Sequence, residues 1–295
     1  MNKTQIRHSL ILLLTAVIWG VAFVAQSVGM DYVGPFTFTC VRSFIGGLVL
    51  IPCIALLQRG NRRAGNDGTI SAEQNSPEKE KKSRWMLAAG GVCCGLALCA
   101  ASCFQQFGIQ YTTVGKAGFI TAFYIIIVPV ISLFFGKKCG ILVWVSVLLA
   151  LGGLYFLCIT ESFRIGTGDI LVFICAFLFA VHILVIDYFT RYVDGVKMSC
   201  IQFFVCGAVS GIAMLLFETP SLSAVLNAWQ PVLYAGVLSS GAGYTLQIIG
   251  QRGMNPTVAS LILSLESVVS VLAGLLILGQ TLSGRAVLGC VLLSA

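Results

Sequence analysis

Apolar runs of about twenty residues follow one another along the chain, with short polar stretches between them. A helix needs a run of this length to cross the hydrocarbon core of a bilayer. The pattern therefore predicts an all-α, polytopic membrane protein with ten transmembrane helices. Nine predicted spans are complete: 8–28, 33–57, 85–107, 113–135, 140–159, 169–190, 196–217, 229–250 and 257–278. The tenth begins near Gly284 and is too short to cross by Ala295, so we expect the sequence to stop inside it.

One long hydrophilic stretch interrupts this pattern, at residues 58–84 between the second and third spans. It is rich in Gly, Asn, Ser, Glu and Lys. Segments with little hydrophobic content and much charge cannot bury enough surface to fold. We therefore predict a mobile polar loop over 58–84.

Lysine and arginine are divided unequally between the two ends of the predicted spans. If the N-terminus is cytoplasmic, fourteen of them fall on the cytoplasmic side and three outside, at Lys116, Arg164 and Arg285. Short loops on the cytoplasmic side are the ones that retain these residues. The sequence therefore predicts a multi-pass protein of the cytoplasmic membrane with both termini inside. The same distribution explains the net charge of +7 without a nucleic-acid partner.

The two halves of the chain repeat each other. DYVGPFTFTCVRSFIGG at 31–47 matches RYVDGVKMSCIQFFVCG at 191–207, 160 positions later, and Arg42 corresponds there to Gln202. Further pairs lie 142 positions apart: Gln105 and Gln247, Gly108 and Gly250, Ala117 and Ala259. The matches predict a first five-helix repeat at 1–159, containing the cytoplasmic loop 58–84, and a second at 160–295.

An odd number of helices in each repeat has a consequence for topology. Two copies of such a unit must enter the membrane from opposite sides, so the repeats are inverted. Many secondary transporters have this architecture, and their substrate sites lie near the midplane between the repeats. The duplication therefore predicts a central site.

Glu266 is the one acidic residue, among eleven, that lies at the middle of a predicted span. Its repeat equivalent is Tyr124, near mid-depth in the fourth span. Ionisable groups at this depth are costly and are functional candidates by default. Glu266 is therefore a candidate proton carrier or cation ligand. The alternative is a protonated side chain that bonds to a neighbouring helix and is purely structural.

Polar and aromatic side chains predict the lining of a cavity. On the eighth span, Ser240, Tyr244, Gln247 and Gln251 share one helical face. The candidate substrate-binding residues are Trp19, Gln26, Gln105, Tyr124, His182, Tyr244, Gln247 and Glu266. Aromatic rings and amides suit a small polar or cationic solute. The alternatives are interfacial anchoring for Trp and Tyr and hydrogen-bonded packing for His182.

Two cations within spans have separate interpretations. Lys116 lies about one turn inside the fourth span, where its side chain can reach the outer headgroups; the alternative is a charge at the mouth of the cavity. Arg42 lies about three turns into the second span, and we interpret it as structural.

Two backbone features concern packing. Gly207 and Gly211 form a GxxxG motif, which fits a homodimer contact and an internal contact equally well. Pro129 is expected to kink the fourth span.

The sequence lacks the residue patterns that indicate an enzyme or a metal site. The twelve cysteines lie mostly in apolar runs without the spacing of a zinc site. Two histidines and one mid-span carboxylate do not supply a catalytic pair or a metal set. We therefore predict no enzymatic activity, no catalytic residues, no cofactor and no metal.

Five segments carry a family resemblance: AVIWGVAF at 16–23, the stretch 36–47, YTTVGKAGFITAFYIIIVP at 111–129, GDILVFICAFLFA at 168–180, and the stretch 246–279. On these the chain resembles the EamA-type branch of the drug/metabolite transporter superfamily over essentially its whole length. The resemblance implies two inverted five-helix repeats around a central cavity. Members often have proline where Ser267 follows Glu266, so the residues do not predict a kink in the ninth span. Members often have glutamate where this chain has Gln280, so the role of that carboxylate is not expected here.

These observations favour a secondary active transporter that works by alternating access in a lipid membrane. Its predicted substrate is a small polar or cationic metabolite, such as an amino acid or an organic cation. Proton coupling through Glu266 is a further hypothesis. The alternative is a non-transporting scaffold or assembly protein, which has no need of polar residues at mid-depth.

Overall fold

The structure is a computed structural model that describes residues 3–64, 77–136, 140–158 and 166–279, together with 284 and 288. Its secondary structure, over these residues, is helical. The helices are α1 Lys3–Gly29, α2 Pro35–Ala64, α3 Pro77–Ile109, α4 Val114–Thr121, α5 Tyr124–Phe134, α6 Ile141–Cys158, α7 Thr167–Phe189, α8 Gly195–Phe217, α9 Leu222–Asn227, α10 Trp229–Leu233, a π-helix Tyr234–Tyr244, α11 Thr245–Gln251, α12 Pro256–Leu263 and α13 Glu266–Leu278.

Eight helical stretches are long and apolar enough to cross a membrane, within the described part of the chain. The polytopic helical class is therefore confirmed. The fifth predicted span is α6. The tenth falls almost entirely outside the described residues, as do Arg164, Gln280 and Arg285, so the number ten stays a prediction.

The predicted loop 58–84 was wrong at both of its ends. α2 continues to Ala64 and α3 begins at Pro77. The sequence PEKEKKSR consists largely of good helix formers, so a helix can begin within it although the segment is polar. Residues 65–76 lie outside the described residues.

The helices of the two halves pack chiefly against each other. α2 lies along α8, α3 lies along α7 and α8, and α1 contacts α13, α11 and the π-helix. In the repeat, α1 is equivalent to α7, and α3 is equivalent to the π-helix together with α11. The contact of α3 with α7 therefore corresponds to the contact of the π-helix and α11 with α1. The boundaries of the two repeats stay a prediction, but the packing has the paired contacts that a two-fold relation requires.

The contact between α2 and α8 is reciprocal. The ring of Phe204 lies so close to Gly47 that an added Cβ would come within 3.1 Å of it, and Phe44 blocks Gly207 at 3.2 Å in the same way. The two ring centroids are 6.2 Å apart. Because each pair consists of repeat equivalents, this contact lies on the axis between the halves. Gly207 is thus needed for a contact within the protein. The GxxxG motif is explained by this contact, and a homodimer is not needed to account for it.

Equivalent helices run in opposite directions. At one end of the molecule, Gln106 Nε2 of α3 donates to Met30 Sδ just after α1, at 3.5 Å. At the same end, Thr112 before α4 donates to Asp169 in the first turn of α7, at 2.9 Å. α1 therefore finishes where α7 begins, as the inverted topology requires. We call this the Asp169 end.

The fourth and ninth spans are both interrupted, at equivalent positions. α4 and α5 are separated by Ala122–Phe123, and α12 and α13 by Ser264–Leu265. Phe123 N donates to Ile120 O at 3.1 Å, and Leu265 N donates to Ile262 O at 3.3 Å. The dihedrals of Phe123 (−59°, −14°) and Leu265 (−61°, −14°) are those of a 3₁₀ turn. Both spans therefore tighten for one turn at the same depth.

The interruption of the ninth span forms without a proline. Serine hydroxyls donate to carbonyls three residues earlier, from Ser264 to Leu261 at 2.7 Å, from Ser267 to Ser264 at 2.7 Å and from Ser270 to Ser267 at 2.8 Å. Such bonds compete with the helical ladder and bend helices. In the fourth span the interruption lies upstream of Pro129, which sits within α5, so it is not at the residue expected to kink the span.

Proline at position 267 should therefore be tolerated. Ser267→Pro removes the two bonds that Ser267 donates to Ser264 O, from its backbone N and from its hydroxyl, and we expect a loss of about 1–2 kcal/mol of stability. Val271→Pro, inside the regular part of α13, should cost about 3 kcal/mol or more. Thermal unfolding of the two variants in detergent measures the difference. Equal losses would contradict the existence of the break.

A carboxylate from the second half caps a helix of the first. Glu218, after α8, accepts from Phe36 N at 2.9 Å, from Thr37 N at 2.8 Å and from Thr37 Oγ1 at 2.6 Å. At the start of α8, the equivalent bond is local, from Lys197 N to Asp194 Oδ1 at 2.9 Å. The first repeat has Gly34 where the second has Asp194, so Glu218 supplies the missing cap.

This cap can be tested by replacement. Glu218→Ala should destabilise the protein by about 1–2 kcal/mol, since it leaves the first amides of α2 without an acceptor. Adding Gly34→Asn should restore most of that stability, because asparagine then caps α2 locally. The melting temperatures of the single and double variants measure both effects. If the double variant melts no higher than Glu218→Ala, an asparagine at position 34 does not replace the cap that Glu218 provides.

Candidate functional site

A cavity lies between the two halves and receives side chains from both. α1 contributes Trp19, Phe23 and Gln26, and α2 contributes Arg42. The remaining lining residues are Gln105, Thr121, Tyr124, Phe179, Ile183, Tyr244, Gln247, Leu263 and Glu266. Seven of the eight predicted substrate-binding residues are therefore in the lining; His182 is not. Thr121, Tyr124, Leu263 and Glu266 flank the two helix interruptions, so the breaks in the fourth and ninth spans open onto this cavity.

Glu266 and Tyr124 contact each other across the axis. Tyr124 Oη donates to Glu266 Oε1 at 2.9 Å. Both side chains are almost fully buried, at 3% and 2% exposure. Each is the first residue of the helix that follows an interruption. A carboxyl and a phenol at repeat-equivalent positions thus form one shared polar pair in the cavity wall.

Aromatic rings form the wall on the π-helix side. Trp19 and Tyr244 have ring centroids 4.6 Å apart, and Trp19 Nε1 donates to Ser239 O at 3.3 Å. A π-helix is an uncommon geometry that is frequent at functional sites. The equivalent part of the first half lies in the α-helix α3. The two halves therefore differ where the eighth span meets the cavity.

His182 lies behind this wall. It is fully buried, its ring is 5.9 Å from that of Tyr244, and its Nε2 is 3.1 Å from Gln202 Oε1. Gln202 Nε2 donates to Ser199 Oγ at 3.4 Å. The contacts match the alternative interpretation of His182 as a hydrogen-bonded packing residue, and they let it support Tyr244 from behind.

Lys116 lies at the Asp169 end of the molecule, outside the lining. Its Nζ forms an ion pair with Asp169 Oδ2. Thr112 Oγ1 and Gly166 N donate to the same carboxylate, at 2.9 Å and 2.8 Å. The ion pair joins the first turns of α4 and α7, which gives Lys116 a defined partner within the protein.

Arg42 is the residue of the site that the sequence interpretation missed. The sequence interpretation treats it as structural, and the structure has it in the cavity lining and only 2% exposed. Its Nη1 donates to Gln26 Oε1 at 3.4 Å, and its guanidinium lies 5.9 Å from the centre of the Phe38 ring. The available signal was its position three turns inside a span, where a cation is as costly as a carboxylate.

A polar cavity between oppositely directed membrane helices, with interrupted helices at its wall, defines the architecture of a membrane carrier. A model of the EamA-like transporter family matches residues 7–159 and residues 166–295. The chain belongs to this family, and it is a multi-pass membrane protein of the transporter class.

Two curated relatives extend along most of the chain. An uncharacterized transporter of Archaeoglobus fulgidus is 29% identical over 273 residues, which cover 92% of this chain and 78% of that one. The uncharacterized transporter YoaV of Bacillus subtilis is 23% identical over 282 residues, 94% and 90% of the two chains. One protein of known crystal structure is 22% identical, with a TM-score of 0.69 over 98% of this chain and 94% of that one, and so shares the fold.

The lining predicts a difference in reactivity between two neighbouring positions. In a protein whose native cysteines have been replaced, Gln247→Cys should react with a small aqueous thiol reagent, because its side chain faces the cavity. Ile248→Cys should not, because Ile248 is fully buried on another face of α11, where it packs against Gly195. Labelling yields by mass spectrometry measure both. Equal protection of the two cysteines would contradict a water-accessible cavity.

Proposed function

We propose that this protein is a secondary active transporter that moves a small polar or cationic metabolite across the cytoplasmic membrane by alternating access. The observation that carries the proposal is the buried cavity between the halves, lined by Glu266, Arg42 and three glutamines. Polar side chains at this depth are costly. A wet, alternately exposed site accounts for them, whereas a scaffold protein does not need one.

The inverted arrangement supports the mechanism. Helices that meet at the cavity come from both halves and run in opposite directions, so tilting one half against the other can expose the site to either side in turn. The two family matches, at 7–159 and 166–295, support repeats bounded near residue 160. We place both termini in the cytoplasm, from the excess of Lys and Arg on that side.

Glu266 is the proposed site of proton coupling. It is the acidic residue of the lining, among the described residues, and it accepts a hydrogen bond from the hydroxyl of Tyr124. An ionised Glu266 attracts the cationic group of a substrate, and a protonated Glu266 does not. Proton and substrate then compete for one carboxyl, and their movements are coupled when the halves reorient only with that carboxyl occupied by one of the two.

The first experiment identifies a ligand. Thermal unfolding of the purified protein is measured at two pH values against amino acids, nucleobases, quaternary amines and sugars. A bound solute stabilises the folded protein by mass action and therefore raises its melting temperature. At a solute concentration one hundred times the Kd, the free energy of unfolding increases by about 2.7 kcal/mol. A response confined to one chemical class supports a substrate site. A flat panel, with an unreactive Gln247→Cys, would favour the scaffold alternative.

Transport by Glu266→Gln tests the coupling. In proteoliposomes loaded with the solute found above, we expect this variant to lose at least about tenfold of the uptake driven by a proton gradient, since a neutral amide carries no proton. Tyr124→Phe, which keeps the carboxyl, should retain coupling with altered pH dependence. Asp194→Asn, in a loop outside the cavity, is the control. Normal transport by Glu266→Gln at every pH, with unchanged gradient dependence, would refute the coupling role.

A further inference from the structure

We infer that Arg42 is an anion subsite of the cavity and that the substrate carries a carboxylate which this guanidinium binds. The inference rests on the proposed transport function and narrows its substrate class. Solutes that are only cationic are disfavoured, and zwitterions with both a carboxylate and an ammonium group are favoured. Arg42 and Glu266 would bind the two groups from opposite halves of the protein.

The bonding capacity of Arg42 is largely unused. A guanidinium has five N–H donors, and the described residues provide one acceptor, Gln26 Oε1, at a long 3.4 Å. Its Nε is buried with no hydrogen-bond partner within the described part of the protein. Buried donors are normally satisfied. Because Arg42 is in the cavity lining, a ligand with oxygen acceptors bound in the cavity can accept from donors that the protein leaves without a partner.

Arg42 also forms no ion pair within the described part of the helix bundle. The described ion pairs of the helix bundle join Lys116 with Asp169 and Arg191 with Asp187, and Glu266 is bonded to Tyr124. A buried charge without a counter-charge is strongly destabilising. A bound carboxylate removes this cost, because it accepts two parallel N–H bonds from a guanidinium.

The repeat provides an internal comparison for this position. The equivalent of Arg42 in the second half is Gln202, which lies between α7 and α8 and bonds to His182 and Ser199. A neutral amide thus meets the packing needs of the same place in the fold. The positive charge occurs in the half where the side chain reaches the cavity, which favours a ligand as the reason for it.

Gln247 adds a second unsatisfied group in the same lining. It is 1% exposed, and its Oε1 has no hydrogen-bond partner among the described residues. An amide oxygen accepts from an ammonium group. The cavity therefore offers free donors at Arg42 and a free acceptor at Gln247, in addition to the carboxyl of Glu266, as a zwitterion requires.

The experiment compares acids with their esters. The twenty standard L-amino acids and their methyl esters are titrated against the purified protein, and Kd is obtained from thermal shifts. We expect at least one acid to bind, with its ester at least tenfold weaker, because esterification removes the anion and keeps the ammonium group. Arg42→Gln should lower the affinity for that acid at least tenfold and abolish the preference for acid over ester.

Three further measurements complete the design. Arg42→Lys keeps the charge without the planar fork, and it should retain part of the preference. Arg252→Gln makes the same substitution at an exposed position at the end of α11, and it should leave the preference unchanged. If Arg42→Gln does not fold, the anion subsite is tested by comparing the acid and ester affinities of the unmodified protein with those of Arg42→Lys. Sodium chloride and inorganic phosphate are titrated as competing anions.

Several outcomes would overturn the anion subsite: esters binding as tightly as acids, no acid binding, an unchanged preference in Arg42→Gln, or chloride or phosphate binding through Arg42 with no competing carboxylate. Quaternary amines that bind through Glu266 while carboxylates do not would reject the subsite and leave the transport proposal intact. The transport proposal fails separately, if no solute of any class binds and Gln247→Cys stays unreactive.

Discussion

The constraint on which this structure depends is the cost of a polar group in hydrocarbon. Inside a bilayer there is no water to satisfy a side chain, so polar residues must face one another or a wet space. The bond from Tyr124 to Glu266 is the central example, because it satisfies two groups that neither half can satisfy by itself. Pairing across the axis thereby links the two halves at the cavity, where Gln26, Arg42, Gln105 and Gln247 also lie.

Much of this could be predicted from the residues, since the cost of polarity in a membrane is visible in the sequence. Mid-span Glu266, Gln105 and Gln247 were predicted in the lining, and the structure places them there. Arg42 and His182 were not placed correctly. Depth along a helix can be read from a sequence, but the direction of a side chain around the axis depends on which neighbours pack beside it. His182 faces Gln202, whereas Arg42 faces the cavity.

The helix ends and interruptions show a different limit of prediction. Hydrophobicity marks the part of a helix in the membrane, so it misses helices that continue into polar sequence, as at Pro77 and Ala64. It also misses breaks within apolar runs. Serine hydroxyls accompany the turn before Glu266 by donating to backbone carbonyls there, and the equivalent turn at Ala122–Phe123 forms in a segment without serine. Only the spacing of Ser264, Ser267 and Ser270 by three residues carries a signal.

Symmetry and its exceptions together locate function in this fold. Reciprocal contacts such as Phe44 with Gly207 and Phe204 with Gly47 maintain the axis, and they are apolar and closely packed. For residues in the cavity lining, the equivalents differ in chemistry. The carboxyl of Glu266 opposes the phenol of Tyr124, and Arg42 corresponds to Gln202, which lies outside the lining. The π-helix corresponds to part of an α-helix. Packing at these places in the fold does not require a charge, because the equivalents of Arg42 and Glu266 are the neutral residues Gln202 and Tyr124. Charges that break the symmetry, and that border the cavity, are therefore the residues for which binding is the better physical explanation.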